Sequence, residues 1–223
     1  MATFVVELAA SVFQVIDYEG FKSGILFAVK SRHCLIRKIE MPRIIGVSGN
    51  ITAPSRTLSL VESVVTKASQ KFHSPGEVID ISKLTADLGP TVSFNQFPPA
   101  LAQAYDKLHQ ADIIVIGTPV YKASYTGLLK HFFDLVDPKK LTGKVAILVA
   151  TGGSDHHALV LESHLRSLAS FFGIYTIPTT IYARDAEFTN YQLDSAAIEQ
   201  RIDQALEQAA VLIKQHLPET LVA

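Results

Sequence analysis

Two apolar runs, Ile113-Ile-Val-Ile116 and Val145-Ala-Ile-Leu-Val-Ala150, decide most of what this chain can fold into. A strand with one wet face alternates apolar and polar residues, whereas an uninterrupted run is covered on both faces, as in a parallel sheet sandwiched by helices. The surrounding pattern agrees, because from Arg43 onward short apolar runs alternate with longer periodic ones, the signal of strands joined through crossover helices. The strands read as Arg43–Ser48, Glu77–Ile81, Asp112–Gly117, Lys144–Ala150 and Tyr175–Tyr182. Between them the helices read as Ser55–Phe72, Pro99–His109, Thr126–Val136 and His157–Phe172, the last stopped by Gly173, with a final helix over Ser195–His216. In the first helix Val61, Val64, Val65, Ala68 and Phe72 recur at steps of three and four and share one face. Five strands with right-handed crossovers predict an α/β, flavodoxin-like, doubly wound parallel sheet in the order 2-1-3-4-5, with helices on both faces.

The chain of 223 residues is long enough for one sizeable core, expected over residues 41–217. Residues 1–40 fit that domain poorly: Glu7, Asp17, Glu19 and Lys22 interrupt their apolar patches, which excludes a membrane helix, and Met41 stands directly before the first strand. They are expected to form a loosely structured leader or extension, with 218–223 as a tail. A formal net charge of -1 supplies no basic field for nucleic acid or anionic lipid, so the expected partners are small molecules and proteins. The single cysteine, Cys34, can close no internal disulfide and belongs to no zinc spacing, consistent with a reducing, cytoplasmic setting.

In a doubly wound sheet the ligand lies beyond the carboxyl ends of the strands, where the strand order reverses. Three loops should meet there. The first, Ser48-Gly-Asn-Ile-Thr-Ala-Pro-Ser-Arg-Thr57, brings hydroxyls, the Arg56 guanidinium and the N–H groups of a helix start, the combination that binds a phosphate. Taken alone, Ser55 serves equally as a helix cap and Arg56 as a solvated side chain. The segment is neither a Walker A nor a GxGxxG sequence. The second, Thr118-Pro-Val-Tyr-Lys-Ala-Ser-Tyr125, and the third, Thr151-Gly-Gly-Ser154, carry glycines and a proline that let backbone groups approach a flat ring. A ring and a phosphate handled together indicate a flavin mononucleotide.

The blocks Gly117-Thr-Pro-Val-Tyr-Lys-Ala-Ser-Tyr-Thr-Gly-Leu-Leu-Lys130, Leu141-Thr-Gly-Lys-Val145 and Ala150-Thr-Gly-Gly153 closely resemble the NADPH-dependent FMN reductases of the flavodoxin-like superfamily, above all those that supply alkanesulfonate monooxygenases. The similarity runs from residue 42 to about 215. It implies FMN and NADPH as the flavin and nicotinamide partners, release of reduced FMN to a monooxygenase, and a homodimer or homotetramer. Carried over by position, it implies that Ser55, Arg56 and Thr57 serve the phosphate; Ser48 is a candidate from the loop's own hydroxyls, at a turn where Ser48-Gly49-Asn50 departs from the Gly-Ser of many relatives. Pro119, Val120, Tyr121 and Lys122 would lie under the isoalloxazine, and Thr151, Gly152, Gly153 and Ser154 at its pyrimidine edge. Tyr125 matches a tyrosine that in the sulfonate-linked reductases accompanies a one-residue helix insertion at the subunit interface, and that helps make FMN a transient substrate.

No catalytic side chain and no metal ligand is expected, because the flavin carries the chemistry. Ser154, Asp155, His156 and His157 are adjacent and point apart, so they make no hydrolase triad. His109, His131 and His164 read as helix-surface residues. Phe132 and Phe133 read as interface, since two successive aromatics on a helix are expected to face different surroundings. Two alternatives remain open at this stage: a reductase of quinones or azo compounds with FMN held in place, and a flavodoxin-like electron carrier. The lack of tryptophan and of a strongly acidic composition speaks against the carrier.

Overall fold

The computed structural model describes residues 41–94 and 96–216. The proposed leader (1–40) and tail (218–223) lie outside the described residues. Strand β1 (Ile44–Ser48) runs into helix α1 (Arg56–Phe72), followed by β2 (Gly76–Asp80), a one-turn helix α2 (Thr85–Leu88) and α3 (Pro99–Gln110). Then come β3 (Ile113–Pro119), α4 (Gly127–Asp134), β4 (Val145–Gly152) and α5 (Arg166–Phe171), with a π-helical turn at Leu161–Leu165 before α5. Short strands β5 (Tyr175–Thr176) and β6 (Ile181–Arg184), a hairpin of β7 (Phe188–Thr189) and β8 (Gln192–Leu193), and the long helix α6 (Ala196–His216) complete the fold.

The sheet is parallel, in the order β2-β1-β3-β4-β5, with β6 also paired to β4. The doubly wound, flavodoxin-like order expected from the sequence is therefore present. The predicted fifth strand, Tyr175–Tyr182, is instead two pieces along one edge of β4. Pro178 falls between them and offers no N–H to a ladder; nearby, the Thr179 N–H donates to Gln208 Oε1 of α6 at 2.9 Å.

Helices cover both faces of the sheet and divide the apolar residues into two clusters. On one face Leu60, Val61, Val64 and Ala68 of α1 and Ile198, Ile202, Leu206 and Ala209 of α6 pack against Ile44, Ile113, Val115, Ile147 and Val149. On the other, α3, α4 and α5 cover Ile45, Val47, Ile114, Ile116, Ala146 and Leu148. Every residue from Ile113 to Pro119 is buried, which accounts for the missing alternation in that run. Fully burying a single Val, Leu or Ile contributes about 1.5–3 kcal/mol, so these two strands anchor the domain. Tight approaches between α1 and the strands beneath it rely on glycine: a Cβ on Gly117 would sit 2.3 Å from a Val61 methyl.

Phe132 and Phe133 correct an expectation. Both are buried, at 0% and 1% exposure, in one apolar cluster. Successive helix residues point about 100° apart, and neighbouring elements cover both directions. Phe132 packs against Tyr105 of α3 (4.8 Å between ring centroids) and Phe133 against Phe172 after α5 (5.8 Å). Phe171, at 72%, is an exposed aromatic of this face, as is Phe94, at 66%. The helix expected over His157–Phe172 is also shorter, preceded by a 3-10 turn at Asp155–His157 and by the π turn. Among the described residues, no helix is long and apolar enough to cross a membrane.

Candidate flavin site at the carboxyl edge

The first loop leaves β1 at Ser48, which is fully buried and donates its hydroxyl to Asn50 Oδ1 at 2.5 Å. The Asn50 amide in turn donates to Asp80 Oδ1 at the end of β2 (3.1 Å) and to the Thr52 carbonyl (3.2 Å). This chain of buried bonds pins the start of the loop to the neighbouring strand, while Ile51 to Pro54 remain exposed. Ser55 then caps α1, its hydroxyl accepting from the Leu58 N–H at 3.2 Å. The N–H groups of a helix's first turn have no backbone partner within the helix; with that of Leu58 taken by the Ser55 cap, those of Arg56 and Thr57 are available to an anion at the positive end of the helix dipole.

Thr57 faces inward, and its hydroxyl lies 2.6 Å from that of Thr151. Arg56 turns outward. Its guanidinium carbon lies 5.0 Å from the centre of the Tyr191 ring, one nitrogen lies 3.6 Å from Asp185, and its Nε is buried without a hydrogen-bond partner.

The second loop begins at the β1/β3 boundary, where the strand order reverses. Here the Gly49 N–H donates to the Gly117 carbonyl at 2.8 Å. Tyr121 and Ser124 exchange backbone hydrogen bonds of 2.9 and 3.1 Å around Lys122 and Ala123, which take φ values of 50° and 64°. Two successive left-handed residues define a type I′ turn, normally supplied by Asn or Gly. Holding non-glycine residues there costs on the order of 1–3 kcal/mol each, a strain common at ligand clamps. The turn leaves Tyr121 44% exposed. Thr126 ends the loop as the cap of α4; its hydroxyl donates to the Gly49 carbonyl at 2.7 Å and accepts from the Leu129 N–H.

The third loop follows β4. The Val120 N–H donates to the Thr151 carbonyl at 2.8 Å, joining the second loop to the third. The Tyr182 hydroxyl, on the adjacent β6, donates to the Ser154 carbonyl at 2.6 Å. Burial, followed by the nearby Asp155 and Asp185 carboxylates, raises the Tyr182 pKa, which keeps this donor protonated. A Cβ on Gly152 would stand 2.2 Å from the Tyr182 oxygen, so a larger residue there would have to displace the tyrosine from its bond to Ser154.

Each pair of loops is thus joined by at least one hydrogen bond. The residues singled out in the sequence occupy one edge: Ser55, Arg56 and Thr57 at the helix start, Pro119 ending β3 with Val120 to Lys122 leading into the strained turn, and Thr151 and Gly152 as the last residues of β4, two further than expected, with Gly153 and Ser154 beyond it. Ser48 lies behind them with its hydroxyl committed to Asn50. Tyr125 is half-buried at the margin, its ring edge-on to His164 at 6.1 Å, while the Ser124 hydroxyl lies 2.8 Å from His164 Nδ1. No helix insertion occurs at Tyr125, since α4 begins at Gly127 and is regular. The π turn lies in the facing segment and includes His164. The sequence reading missed Asn50, Asp80, Tyr182, Asp185 and Tyr191, which sit in ordinary sequence surroundings and acquire partners only through the fold.

These residues fit FMN: the helix start, hydroxyls and incompletely partnered Arg56 suit a phosphate, and the turn and glycine loop suit a planar ring. Among the described residues, no group of three or more His, Cys, Asp or Glu side chains is placed to hold a metal ion.

Residues 42–188 match the family model described as NADPH-dependent FMN reductase. The chain belongs to that family. It is 41% identical over 170 residues to the FMN reductase (NADPH) of Pseudomonas aeruginosa, covering 76% of this chain and 91% of the relative. It is 38% identical over 175 residues to the NADH-dependent FMN reductase SfnF of Pseudomonas fluorescens, covering 78% and 94%. A solved oxidoreductase structure from Corynebacterium diphtheriae superposes with a TM-score of 0.70 at 33% identity, over 78% of this chain and 98% of that one.

Proposed function

We propose that this NAD(P)H:FMN oxidoreductase takes FMN as an exchanging substrate and releases it reduced to a partner monooxygenase, in a reaction that serves sulfur recovery from sulfonates. The observation that carries the reading is the hydrogen-bonded assembly of three loops beside a helix start, a site preorganised for a phosphate and a flat ring. FMN, when bound, supplies the chemistry by accepting a hydride from the nicotinamide. The chain's own part is to hold and orient. Ser55, Thr57, Arg56 and the first-turn N–H groups take the phosphate, with Ser48 bracing the loop through Asn50. Pro119, Val120, Tyr121 and Lys122 support the ring, and the backbone N–H groups of Thr151 to Ser154 stabilise negative charge at its pyrimidine edge. Tyr125 acts at the margin of the site, where it favours release. The relatives' names include both NADPH- and NADH-dependent enzymes.

We assign the domain to residues 41–217 and expect a cytoplasmic homodimer or homotetramer. Support for self-association comes from an open cavity of about 920 Å³ whose lining includes Phe94, Tyr125, Leu168 and Phe171, next to the site and partly apolar. The deciding experiment is NADPH and NADH oxidation by purified, colourless protein with and without added FMN. Oxidation that requires and saturates with FMN supports the proposal. Yellow protein that ignores added FMN would favour a bound-flavin reductase of quinones or azo compounds, or a carrier.

A further inference from the structure

Arg56 is the cation of the phosphate loop, yet it is held from outside that loop. Asp185, the first residue after β6, lies 3.6 Å from its guanidinium, and the Tyr191 ring lies against the guanidinium at 5.0 Å. The β7–β8 hairpin that carries Tyr191 is fixed to α1: the Leu193 N–H donates to the buried Ser59 hydroxyl at 3.1 Å, and Phe188 and Leu193 pack against the apolar cluster on that face. Asn190 and Tyr191 both take left-handed φ, 49° and 66°, which forms the tight turn that presents the ring. The hairpin's turn and second strand lie beyond the residues matched by the family model.

The Arg56–Asp185 pair uses far less of the guanidinium than the Arg166–Glu162 pair does. Arg166 grips Glu162 through two nitrogens, at 2.6 and 3.0 Å. Arg56 approaches Asp185 through one nitrogen at 3.6 Å, beyond hydrogen-bond length, while its buried Nε has no partner. A guanidinium carries five N–H donors and binds phosphate best through two at once, so this contact leaves its strongest mode of binding unused.

We propose that Asp185 is an internal counter-ion that competes with the phosphate monoester of FMN for Arg56, and that Tyr191 keeps the guanidinium plane oriented while it changes partner. Asp185 thereby sets how readily FMN leaves. A carboxylate beside the bound dianion weakens it, and the same carboxylate receives the guanidinium when the flavin departs. The inference rests on the proposed flavin site, and it names two positioning residues outside the three loops.

The test is titration of flavin fluorescence with parent, Asp185→Asn, Tyr191→Leu and Tyr191→Phe proteins, using FMN and riboflavin, which share the ring and differ in the phosphate. Thermal melts verify folding of each variant. Asp185→Asn is expected to lower the FMN Kd by roughly three- to tenfold, the scale of one partly exposed charge contact acting on a dianion, with riboflavin changed less than twofold. Tyr191→Leu is expected to raise the FMN Kd several-fold, with Tyr191→Phe restoring it. An unchanged FMN Kd in Asp185→Asn, or an equal change for riboflavin, would overturn the counter-ion role. NADPH carries a phosphate monoester that NADH lacks. A shift in the NADPH-to-NADH preference without a shift in FMN-to-riboflavin preference would assign Arg56 to the nicotinamide and overturn the proposal. A parent that binds riboflavin as tightly as FMN would refute the phosphate site itself, a failure separate from that of the Asp185 variant.

Discussion

The carboxyl edge of the sheet and the outer side of α4 and α5 lie next to each other, meet at Tyr125, and are built on opposite terms. At the carboxyl edge buried side-chain hydroxyls and amides are partnered within the chain, Ser48 with Asn50, Asn50 with Asp80, Thr57 with Thr151 and Thr126 with Gly49, and the Arg56 Nε is a buried donor left without a partner. Along α4 and α5 the inner aromatics are closed into the core, while Phe171 stands 72% exposed beside an open cavity. The first region is braced by bonds within one chain. The second leaves apolar surface in water, an arrangement that another chain would relieve. If the first region binds flavin and the second joins copies of the chain, the two should be separable by substitution, except at Tyr125.

The sharpest way to break the first region is Gly152→Ala. The added Cβ meets the Tyr182 oxygen at 2.2 Å, and Tyr182 holds the Ser154 carbonyl, so the loop and the tyrosine cannot both keep their places. Overpacking of this kind costs about 1–3 kcal/mol. Because the displaced loop borders the proposed ring site, FMN-dependent NADPH oxidation should fall on the order of tenfold to a hundredfold. Parent-like kcat/KM would remove the Thr151 to Ser154 loop from the site.

Thr57→Val probes the same region more gently. It keeps the shape but strands the Thr151 hydroxyl, which is 4% exposed, at a cost of about 1–3 kcal/mol in urea unfolding. FMN affinity should fall as the bond between the first and third loops is lost, and Thr57→Ser should recover most of it. A Val variant with full FMN affinity would show that the loops do not depend on one another.

At the shared residue, Tyr125→Ala removes an edge-to-face aromatic contact worth about 0.5–1.5 kcal/mol. The expected outcome is a longer stay for FMN, read as flavin absorbance that survives purification. Colourless protein with parent turnover would take Tyr125 out of the release step and leave the two regions independent.

How much of this could be read beforehand depended on whether a signal was local. The unalternating runs at Ile113–Ile116 and Val145–Ala150 reported burial on both faces directly, and Ser55 before a periodic helix reported its cap, because each physical cause lies within a few residues. Pro178 was equally visible, but its effect was to split the edge strand into β5 and β6, which a run of apolar letters conceals. Partners far apart in sequence were not legible: Thr57 with Thr151, Tyr182 with Ser154, and Arg56 with Asp185 and Tyr191 are side chains of unremarkable context until the crossovers bring them together. Phe132 and Phe133 misled because the sequence does not record that α3 and α5 close on α4 from two sides.

Phe171→Ser carries the smallest expected effect on the chain itself and bears most directly on the second region. The adjacent Phe172 is 4% exposed and makes the core contact with Phe133, so losing the Phe171 ring removes little burial within the chain. The change in unfolding free energy should stay within about 0.5 kcal/mol. If this face joins copies of the chain, the same substitution should lower the mass measured by light scattering at a given concentration, with FMN affinity unaltered. An unchanged mass would place the subunit contact elsewhere. A lowered mass together with weakened FMN binding would mean that the flavin site is finished by the neighbouring copy, and the separation of the two regions would fail at Tyr125, where they touch.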